Sequence, residues 1–223
     1  RWIYHRGVLD PEGWSDLPRK LREHLAREMT VDPGAIENKT IASDGTVKFR
    51  IRLADGGAVE AVHMVDRDRV TLCLLSQVGC ALDCDFCLTG KMGLERQMTV
   101  GEIVGQVSLI RDERSLADKP FNIVFMGMGE PLHNYRAVLG SFRILTEPDG
   151  FGLSRRRITV SPAGLAPEIE RLAAEPRPPR LAVSLNATTD ETRTRLMPIN
   201  RKYDIECLLE ACRRYTETTG ERF

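Results

Sequence analysis

Apolar and polar positions follow three different repeats along the chain. In residues 1–38, apolar positions recur at helical spacing, as at Leu17, Leu21 and Leu25, which predicts a small helical region. In residues 39–66, apolar side chains alternate with charged ones on either side of a turn at 54–57, which predicts a β-hairpin. From residue 67 to residue 223, short apolar runs alternate with amphipathic segments. We therefore expect three units, of which the third is the largest.

The third unit has the alternation of strands and helices that is typical of α/β proteins. Strands are predicted at 70–76, 122–126, 157–160 and 181–185, and helices at 135–145, 166–173 and 205–216. A further helix is predicted to begin after Thr99, a typical N-cap residue with Glu102 three positions later. About four strand–helix units in sequence predict a parallel sheet. In such sheets functional residues lie beyond the carboxyl ends of the strands.

Composition and charge restrict the class of protein. Hydrophobic residues make up 42% and charged residues 29%, so we expect a packed core. The formal net charge is zero, which gives no overall attraction to nucleic acid. Local basic clusters fit either phosphate contacts or an ordinary solvated surface. These clusters contain Arg155, Arg156, Arg157, Arg193, Arg195, Arg201 and Lys202.

The cysteine content and the hydropathy favour a cytoplasmic protein without a membrane segment. No apolar run approaches the roughly 20 residues of a membrane span. Six cysteines in 223 residues are too few for a disulfide scaffold, and three of them are clustered, as in metal sites of the reducing cytosol.

The clustered cysteines, Cys80, Cys84 and Cys87, form a Cys-x3-Cys-x2-Cys pattern after the first strand of the third unit. A structural zinc site normally uses four protein ligands. A cubane iron–sulfur cluster held by three thiolates leaves one iron free to bind another group. The pattern therefore favours a reactive metal centre, with an incomplete zinc site or three buried thiols as the alternative.

Three more polar or glycine-rich segments follow predicted strands. Gly127–Pro131 has glycines that allow close approach of backbone to a ligand. Ser161 follows the next strand, and the segment 184–186 follows the last one. Each is an ordinary loop when taken alone, but all four loops are expected at the same edge of the sheet.

The cysteine pattern, with Phe86 before its last cysteine, resembles the radical S-adenosylmethionine (SAM) superfamily. In that superfamily three cysteines hold a 4Fe–4S cluster, and SAM chelates the fourth iron. One-electron reduction then cleaves SAM to a 5′-deoxyadenosyl radical. The resemblance implies an incomplete radical-SAM (βα)-type partial barrel whose cluster ligands are Cys80, Cys84 and Cys87. It also implies SAM contacts at Gly129, Glu130, Ser161, Ser184, Leu185 and Asn186.

Longer segments resemble one family within that superfamily, the dual-specificity adenine C2-methyltransferases of 23S rRNA and tRNA. These segments are residues 73–80, 126–132, 152–161 and 198–203. By the same resemblance, residues 1–38 are part of an N-terminal accessory helical domain, 39–66 are a hairpin that links or covers, and 67–223 are a truncated radical SAM core. The implied partners are 23S rRNA, tRNA and an electron donor such as flavodoxin or ferredoxin, with a monomeric enzyme.

That family loads a methyl group onto a cysteine and uses a second SAM to join it to carbon 2 of adenine in a protein–RNA adduct. The cysteine that resolves the adduct lies seven residues before the cluster motif and matches Cys73, which would otherwise be a strand-core thiol. The base that removes the proton from carbon 2 matches Glu60, whose role rests on the resemblance alone. We expect the hairpin to fold over the barrel mouth and bring Glu60 near Cys73.

The resemblance also predicts what this sequence leaves out. The methyl-carrying cysteine of the family lies beyond the fourth strand of the core and is expected beyond residue 223. Cys207 and Cys212 fit the core face of the last helix instead. Because the sequence begins at Arg1, we expect a fragment truncated at both ends that binds cluster and SAM without completing methyl transfer. The alternatives are an adenine C8-methyltransferase of the resistance type and a non-catalytic metal-containing RNA-binding fragment.

Overall fold

A computed structural model describes residues 1–223 as an α/β fold built on one large sheet. The strands are β1 (Ala35–Ile41), β2 (Val47–Arg52), β3 (Ala58–Asp66), β4 (Arg69–Leu74), β5 (Gln77–Gly79), β6 (Leu94–Gln97), β7 (Phe121–Phe125), β8 (Ile158–Val160) and β9 (Arg180–Leu181). The helices are α1 (Trp2–Arg6), α2 (Arg19–Glu28), α3 (Leu88–Lys91), α4 (Val100–Glu113), α5 (Tyr135–Thr146), α6 (Ala166–Ala173), α7 (Asp190–Leu196) and α8 (Ile205–Thr219).

The large sheet has seven strands in the order β1-β2-β3-β4-β7-β8-β9. Its first four strands pair antiparallel, and β4, β7, β8 and β9 pair in parallel. Two short strands, β5 and β6, form a separate antiparallel pair. The predicted α/β class is confirmed, and so is the parallel pairing of the four predicted strands of the third unit, β4, β7, β8 and β9.

One face of the sheet carries the hydrophobic core. Because side chains alternate along a strand, Leu72, Leu74, Ile123 and Phe125 all point to this face and are fully buried. They share the core with the apolar faces of α4, α5, α6 and α8. The opposite face is left half-exposed and polar, and it carries side chains such as Thr71, Cys73 and Thr159.

Local signals located most of the helices correctly. Thr99 caps α4, and its side chain and that of Glu102 exchange hydrogen bonds with each other's backbone N–H groups as a complete capping box. Helix α6 has the predicted limits, and α5 and α8 extend the predicted ranges at their C-terminal ends by one and three residues. Cys212 lies in the core as predicted, but the prediction for Cys207 was wrong, because its side chain is exposed to solvent.

The expected position of the hairpin was wrong. Instead of folding over the mouth of the barrel, its strands β2 and β3 continue the main sheet, and β3 pairs with β4. Strand β1 begins at Ala35 and joins the same sheet, so the sheet starts upstream of residue 39. The physical reason is that an unpaired edge on β4 would leave its N–H and C=O groups without partners.

The remaining differences concern short elements around the strand ends. Strand β9 has two residues rather than the predicted five, because the chain turns away and the Ser184 N–H bonds the Pro162 carbonyl. The pair β5–β6 and helix α7 were not predicted. None of the helices has both the length and the apolar character that a membrane span requires.

Candidate SAM and cluster site

The loop that carries the three cysteines is closed at its base by the β5–β6 pair. The Cys80 N–H donates to the Gly93 carbonyl at 2.9 Å, next to the Gly79–Leu94 pairing of the ladder. Gly79 has φ +77°, and a Cβ there would lie 1.9 Å from the Gly93 carbonyl oxygen. Glycine is therefore required at this position, both for its backbone angle and for the close approach of the two strands.

The three thiols line a single cavity of about 260 Å³ at the carboxyl ends of the parallel strands. Cys80 and Cys84 are buried, and Cys87 is partly exposed. Burial raises the pKa of the Cys80 thiol. Burial and the neighbouring Cys80 and Cys87 thiolates raise the pKa of Cys84 to about 11. This mutual repulsion of thiolates is what a bound cation relieves, since metal binding deprotonates its thiol ligands.

The donor set fits a cluster that has several metal atoms. No three His, Cys, Asp or Glu side chains converge on the position of a single metal ion. In a cubane each thiolate binds a different iron atom, so the sulfur atoms do not need to converge on one point. Glycine backbone lines the same cavity, and a Cβ at Gly127 would lie 2.8 Å from the Leu74 carbonyl oxygen.

The glycine-rich loop after β7 is fixed by a buried glutamine and a buried carboxylate. Gly129 has φ +94°, and a Cβ there would lie 2.5 Å from the Gln77 Cβ. The Glu130 N–H donates to Gln77 Oε1 at 2.7 Å. The carboxylate of Glu130 accepts the Leu132 N–H at 2.9 Å and the Ala163 N–H at 2.7 Å. Glu130 therefore joins the loop after β7 to the loop after β8.

The carboxyl of Glu130 is fully enclosed by the fold at this cavity. Burial raises its pKa to about 7, and the two backbone N–H groups work in the opposite direction. Its oxygens keep lone pairs for a further donor, since a carboxylate offers about four acceptor positions. Gly129 and Glu130, for which the family resemblance implies SAM contacts, both line the cavity.

The loops after β8 and β9 complete the wall of the cavity. Ser161 and Ser184 place their hydroxyl oxygens 3.3 Å apart, and both residues line the cavity together with Asn186. Asn186 has φ +57°, which directs its amide toward Met197 Sδ at 3.3 Å. Leu185 differs from its neighbours, because its side chain packs against the hydrophobic core. Leu185 is therefore not among the residues that line the cavity.

Cys73 and Glu60 lie on the half-exposed face of the sheet. Cys73 pairs with Val62 across the β3–β4 ladder, and Glu60 is two residues before Val62 and so on the same face. Burial raises the pKa of the Cys73 thiol, and the nearby Met126 backbone acts in the opposite direction. Met126 itself lines the cysteine cavity. Glu60 forms an ion pair with Lys48 at 3.2 Å.

The structure places several residues at this site that the sequence analysis did not assign to it. Gln77, Met197 and Arg193 surround the strand ends, and Arg193 is fully buried, so it cannot contact RNA phosphates as the basic-cluster interpretation suggested. Nothing local distinguishes Arg193 from the exposed Arg195 two residues later. Strand β5 has only three residues, all of them buried, so no repeat in the sequence could identify Gln77.

Comparisons with known proteins agree with this geometry. Residues 74–221 match the family model of the Radical SAM superfamily. The whole chain is 49% identical to a protein of Moorella thermoacetica named "Probable dual-specificity RNA methyltransferase RlmN", of which it covers 65%. A Geobacter sulfurreducens protein named "Dual-specificity RNA methyltransferase RlmN" is 50% identical over 96% of the chain, which covers 58% of it.

A solved structure has the same fold. The crystal structure of a radical SAM methyltransferase from Sphaerobacter thermophilus superposes with a TM-score of 0.91 at 45% identity. The match covers 99% of this chain and 65% of that one. The chain therefore spans about three fifths of the length of the relatives it matches.

Proposed function

This chain belongs to the radical SAM superfamily, and we propose that it forms the cluster- and SAM-binding part of an RNA adenine C2-methyltransferase. The observation that carries the proposal is one cavity that gathers three thiols, the glycine-rich loop after β7 and the serine and asparagine side chains after β8 and β9. The similarity to proteins named as dual-specificity RNA methyltransferases supports the choice of reaction within the superfamily.

In this proposal Cys80, Cys84 and Cys87 hold a 4Fe–4S cluster. Around SAM, Glu130 accepts a hydrogen bond from the amino group, and Gly127 and Gly129 let the loop pack closely against Leu74 and Gln77, which holds Glu130 at the cavity. Ser161, Ser184 and Asn186 supply side-chain hydrogen bonds. Leu185, which lies between Ser184 and Asn186, is proposed as a further contact by the family resemblance alone. When both groups are bound, they supply the radical chemistry that an unreactive C–H bond requires.

Cys73 is proposed as the thiol that resolves the protein–RNA adduct. The nearby Met126 backbone acts to lower the pKa of this thiol, which favours the thiolate form that acts as nucleophile. Burial acts against that form, so Cys73 remains protonated until a base or the substrate removes the proton. This protects the thiol from unwanted oxidation before RNA arrives.

Glu60 is proposed as the base that takes the proton from carbon 2 of adenine. Glu60 lies on the same sheet face as Cys73, and this supports the role, because one adenine held above that face can contact both side chains. Lys48 Nζ lies 3.2 Å from the Glu60 carboxylate, so this ion pair must open when the adenine binds. The substrates proposed are 23S rRNA and tRNA, and flavodoxin or ferredoxin is proposed as electron donor to a monomeric enzyme.

Anaerobic reconstitution with iron and sulfide tests the first half of the proposal. We expect about four iron and four sulfide per chain and reductive cleavage of added SAM. Cys84→Ala should lose the cluster, whereas the matched control Cys207→Ala should keep it, because Cys207 is an exposed residue of α8. One bound zinc per chain without iron would contradict the proposal and support the RNA-binding alternative.

Modification mapping tests the reaction itself. With a protein of the full reading frame and tRNA or an rRNA fragment, we expect a methyl group on carbon 2 of adenine. Methylation on carbon 8 would instead support the resistance-type enzyme. The two products differ only in the position of the methyl group. Nuclease digestion followed by chromatography against both methyladenosine standards therefore distinguishes them.

A further inference from the structure

Arg193 is a buried cation whose three hydrogen-bond acceptors are all uncharged. It lies on α7 with no exposed surface, and Asp190, an acidic side chain near by, does not form an ion pair with it. Its Nε donates to the Leu185 carbonyl at 3.1 Å, its Nη1 to Asn200 Oδ1 at 2.6 Å, and its Nη2 to the Ala163 carbonyl. Because burying a charge is costly, a buried arginine held only by neutral acceptors indicates a demand for its geometry.

The acceptors of Arg193 belong to three different segments at the carboxyl edge of the sheet. Ala163 follows β8, Leu185 follows β9, and Asn200 lies in the turn after α7. The same Ala163 residue uses its N–H to bind Glu130 at 2.7 Å. One continuous set of hydrogen bonds therefore runs from the glycine-rich loop after β7 through Ala163 and Arg193 to the end of β9.

The helix that carries Arg193 also contacts the cysteine loop. The Asp85 N–H donates to the Leu196 carbonyl at 2.8 Å, and the next residue, Met197, lines the cysteine cavity. The packing around the guanidinium leaves no spare room, since a Cβ at Gly164 would lie 3.1 Å from Arg193 Nη2. A displacement of this side chain would therefore be transmitted to the wall of the cavity from two sides.

We propose that Arg193 is a positioning residue of the SAM site, which fixes the spacing between the segments 161–163 and 184–186 so that Ser161, Ser184 and Asn186 face the cavity together. The inference rests on the proposed function, because it takes that cavity as the SAM site. Arginine suits the task where lysine does not. Its planar guanidinium reaches three acceptors in fixed directions, whereas an ammonium on a flexible stem cannot hold all three.

The test compares Arg193→Lys with the matched control Arg195→Lys in the reconstituted chain. Arg195 is on the same helix but exposed, so its variant reports on the loss of a guanidinium as such. Iron content and melting temperature show whether each variant folds and holds a cluster. SAM dissociation constants come from anaerobic equilibrium dialysis, and the change of the cluster's electron paramagnetic resonance spectrum on adding SAM gives a second readout.

We expect Arg193→Lys to keep its iron and to bind SAM about 10- to 100-fold more weakly, as is usual when a supporting contact behind a ligand shell is lost. Arg195→Lys should stay within about twofold of the original chain. A folded, iron-loaded Arg193→Lys that binds SAM within about twofold and gives the same spectral change would overturn the inference.

If no variant at position 193 folds, Asn200→Ala decides the question, because it leaves the guanidinium in place and removes one acceptor. Weaker SAM binding by this variant supports the positioning role, and unchanged binding overturns it. Failure of the unsubstituted chain to bind SAM at all would refute the proposed function and the inference with it. Normal binding by both the original chain and the variants would refute the inference alone.

Discussion

Glu60 and Cys73 lie on the same face of the central sheet, as diagonal neighbours across the β3–β4 ladder. They reach this arrangement because β3 is hydrogen-bonded directly to β4, not because a separate hairpin closes over the barrel. Diagonal neighbours of this kind have Cα atoms about 7–8 Å apart, which leaves room for a planar base above both side chains.

Glu60→Gln should reduce methylation while changing the stability of the fold very little. Its ion pair with Lys48 joins two side chains that are 44% and 49% exposed, so the loss should change the free energy of unfolding by less than about 1 kcal/mol. Urea denaturation checks this. In the full-length enzyme we expect SAM cleavage to continue and C2 methylation to fall. Lys48→Gln is the control, and equal methylation by Glu60→Gln and the original enzyme would contradict the assignment of the base.

Alkylation of Cys73 should respond to pH as a buried thiol does. Since burial raises its pKa in the folded chain, a smaller thiolate fraction is present at any given pH than in the unfolded chain, where thiols titrate near about 8.5. The iodoacetamide rate at Cys73, followed by peptide mass spectrometry, should therefore keep rising above that pH. The same peptide in urea provides the reference, and an identical pH profile would contradict the prediction.

Gly129→Ala should damage the loop after β7 through a collision as well as through backbone strain. The new Cβ would meet the buried Gln77 side chain, and φ +94° is unfavourable for alanine. Gly56→Ala is the matched control, since Gly56 has φ +88° and no atom within 4 Å of an added Cβ. The control should lose about 1–2 kcal/mol of stability from strain alone. Gly129→Ala should lose more and should also lose SAM binding, as measured by equilibrium dialysis.

The contribution of Glu102 to the free energy of unfolding should depend on pH in the acid range. Burial raises its pKa, but hydrogen bonds from Arg96 and from the Thr99 backbone outweigh burial, so the pKa is lowered overall. A carboxyl with a lowered pKa in the folded state stabilises the fold above its unfolded pKa, and this contribution disappears as the pH falls through the folded pKa. The relevant window therefore lies below the unfolded value of about 4.3.

The matching variant is Glu102→Gln, which should cost about 1–2 kcal/mol at neutral pH because it weakens the capping box and the Arg96 pair. The difference from the original chain should shrink when urea denaturation is repeated below pH 4. Glu95→Gln, an exposed strand residue near by, is the control and should change little. A difference that stays constant from neutral to acid pH would show that the charge of Glu102 contributes nothing.

The parts of this structure that could be predicted from sequence are those that depend on neighbours in the chain. The Thr99–Glu102 capping box needs only residues three apart, and the limits of α6 follow from one amphipathic turn after another. The three cysteines are likewise close in sequence. Gly129 and Glu130 were predicted by resemblance, and the structure puts both at the same cavity as the thiols.

What could not be predicted depends on register and on burial between distant segments. The shared face of Glu60 and Cys73 requires Val62 to pair with Cys73, and a slip of one residue would send them to opposite faces. Arg193 sits in the charged segment 190–196, which has the composition of a solvated helix. Its guanidinium is buried where it donates to backbone carbonyls that lie 8 and 30 residues away in sequence.

The β5–β6 pair has a consequence for how the metal centre assembles. Because the ladder joins Gly79 to Leu94, backbone pairing closes the cysteine segment between them into a ring without using the thiols. Closing a flexible ring of this size costs on the order of 2 kcal/mol in chain entropy. The incoming iron does not have to supply that free energy, so the thiols form a preorganised chelate whose assembly depends on folding of the small ladder.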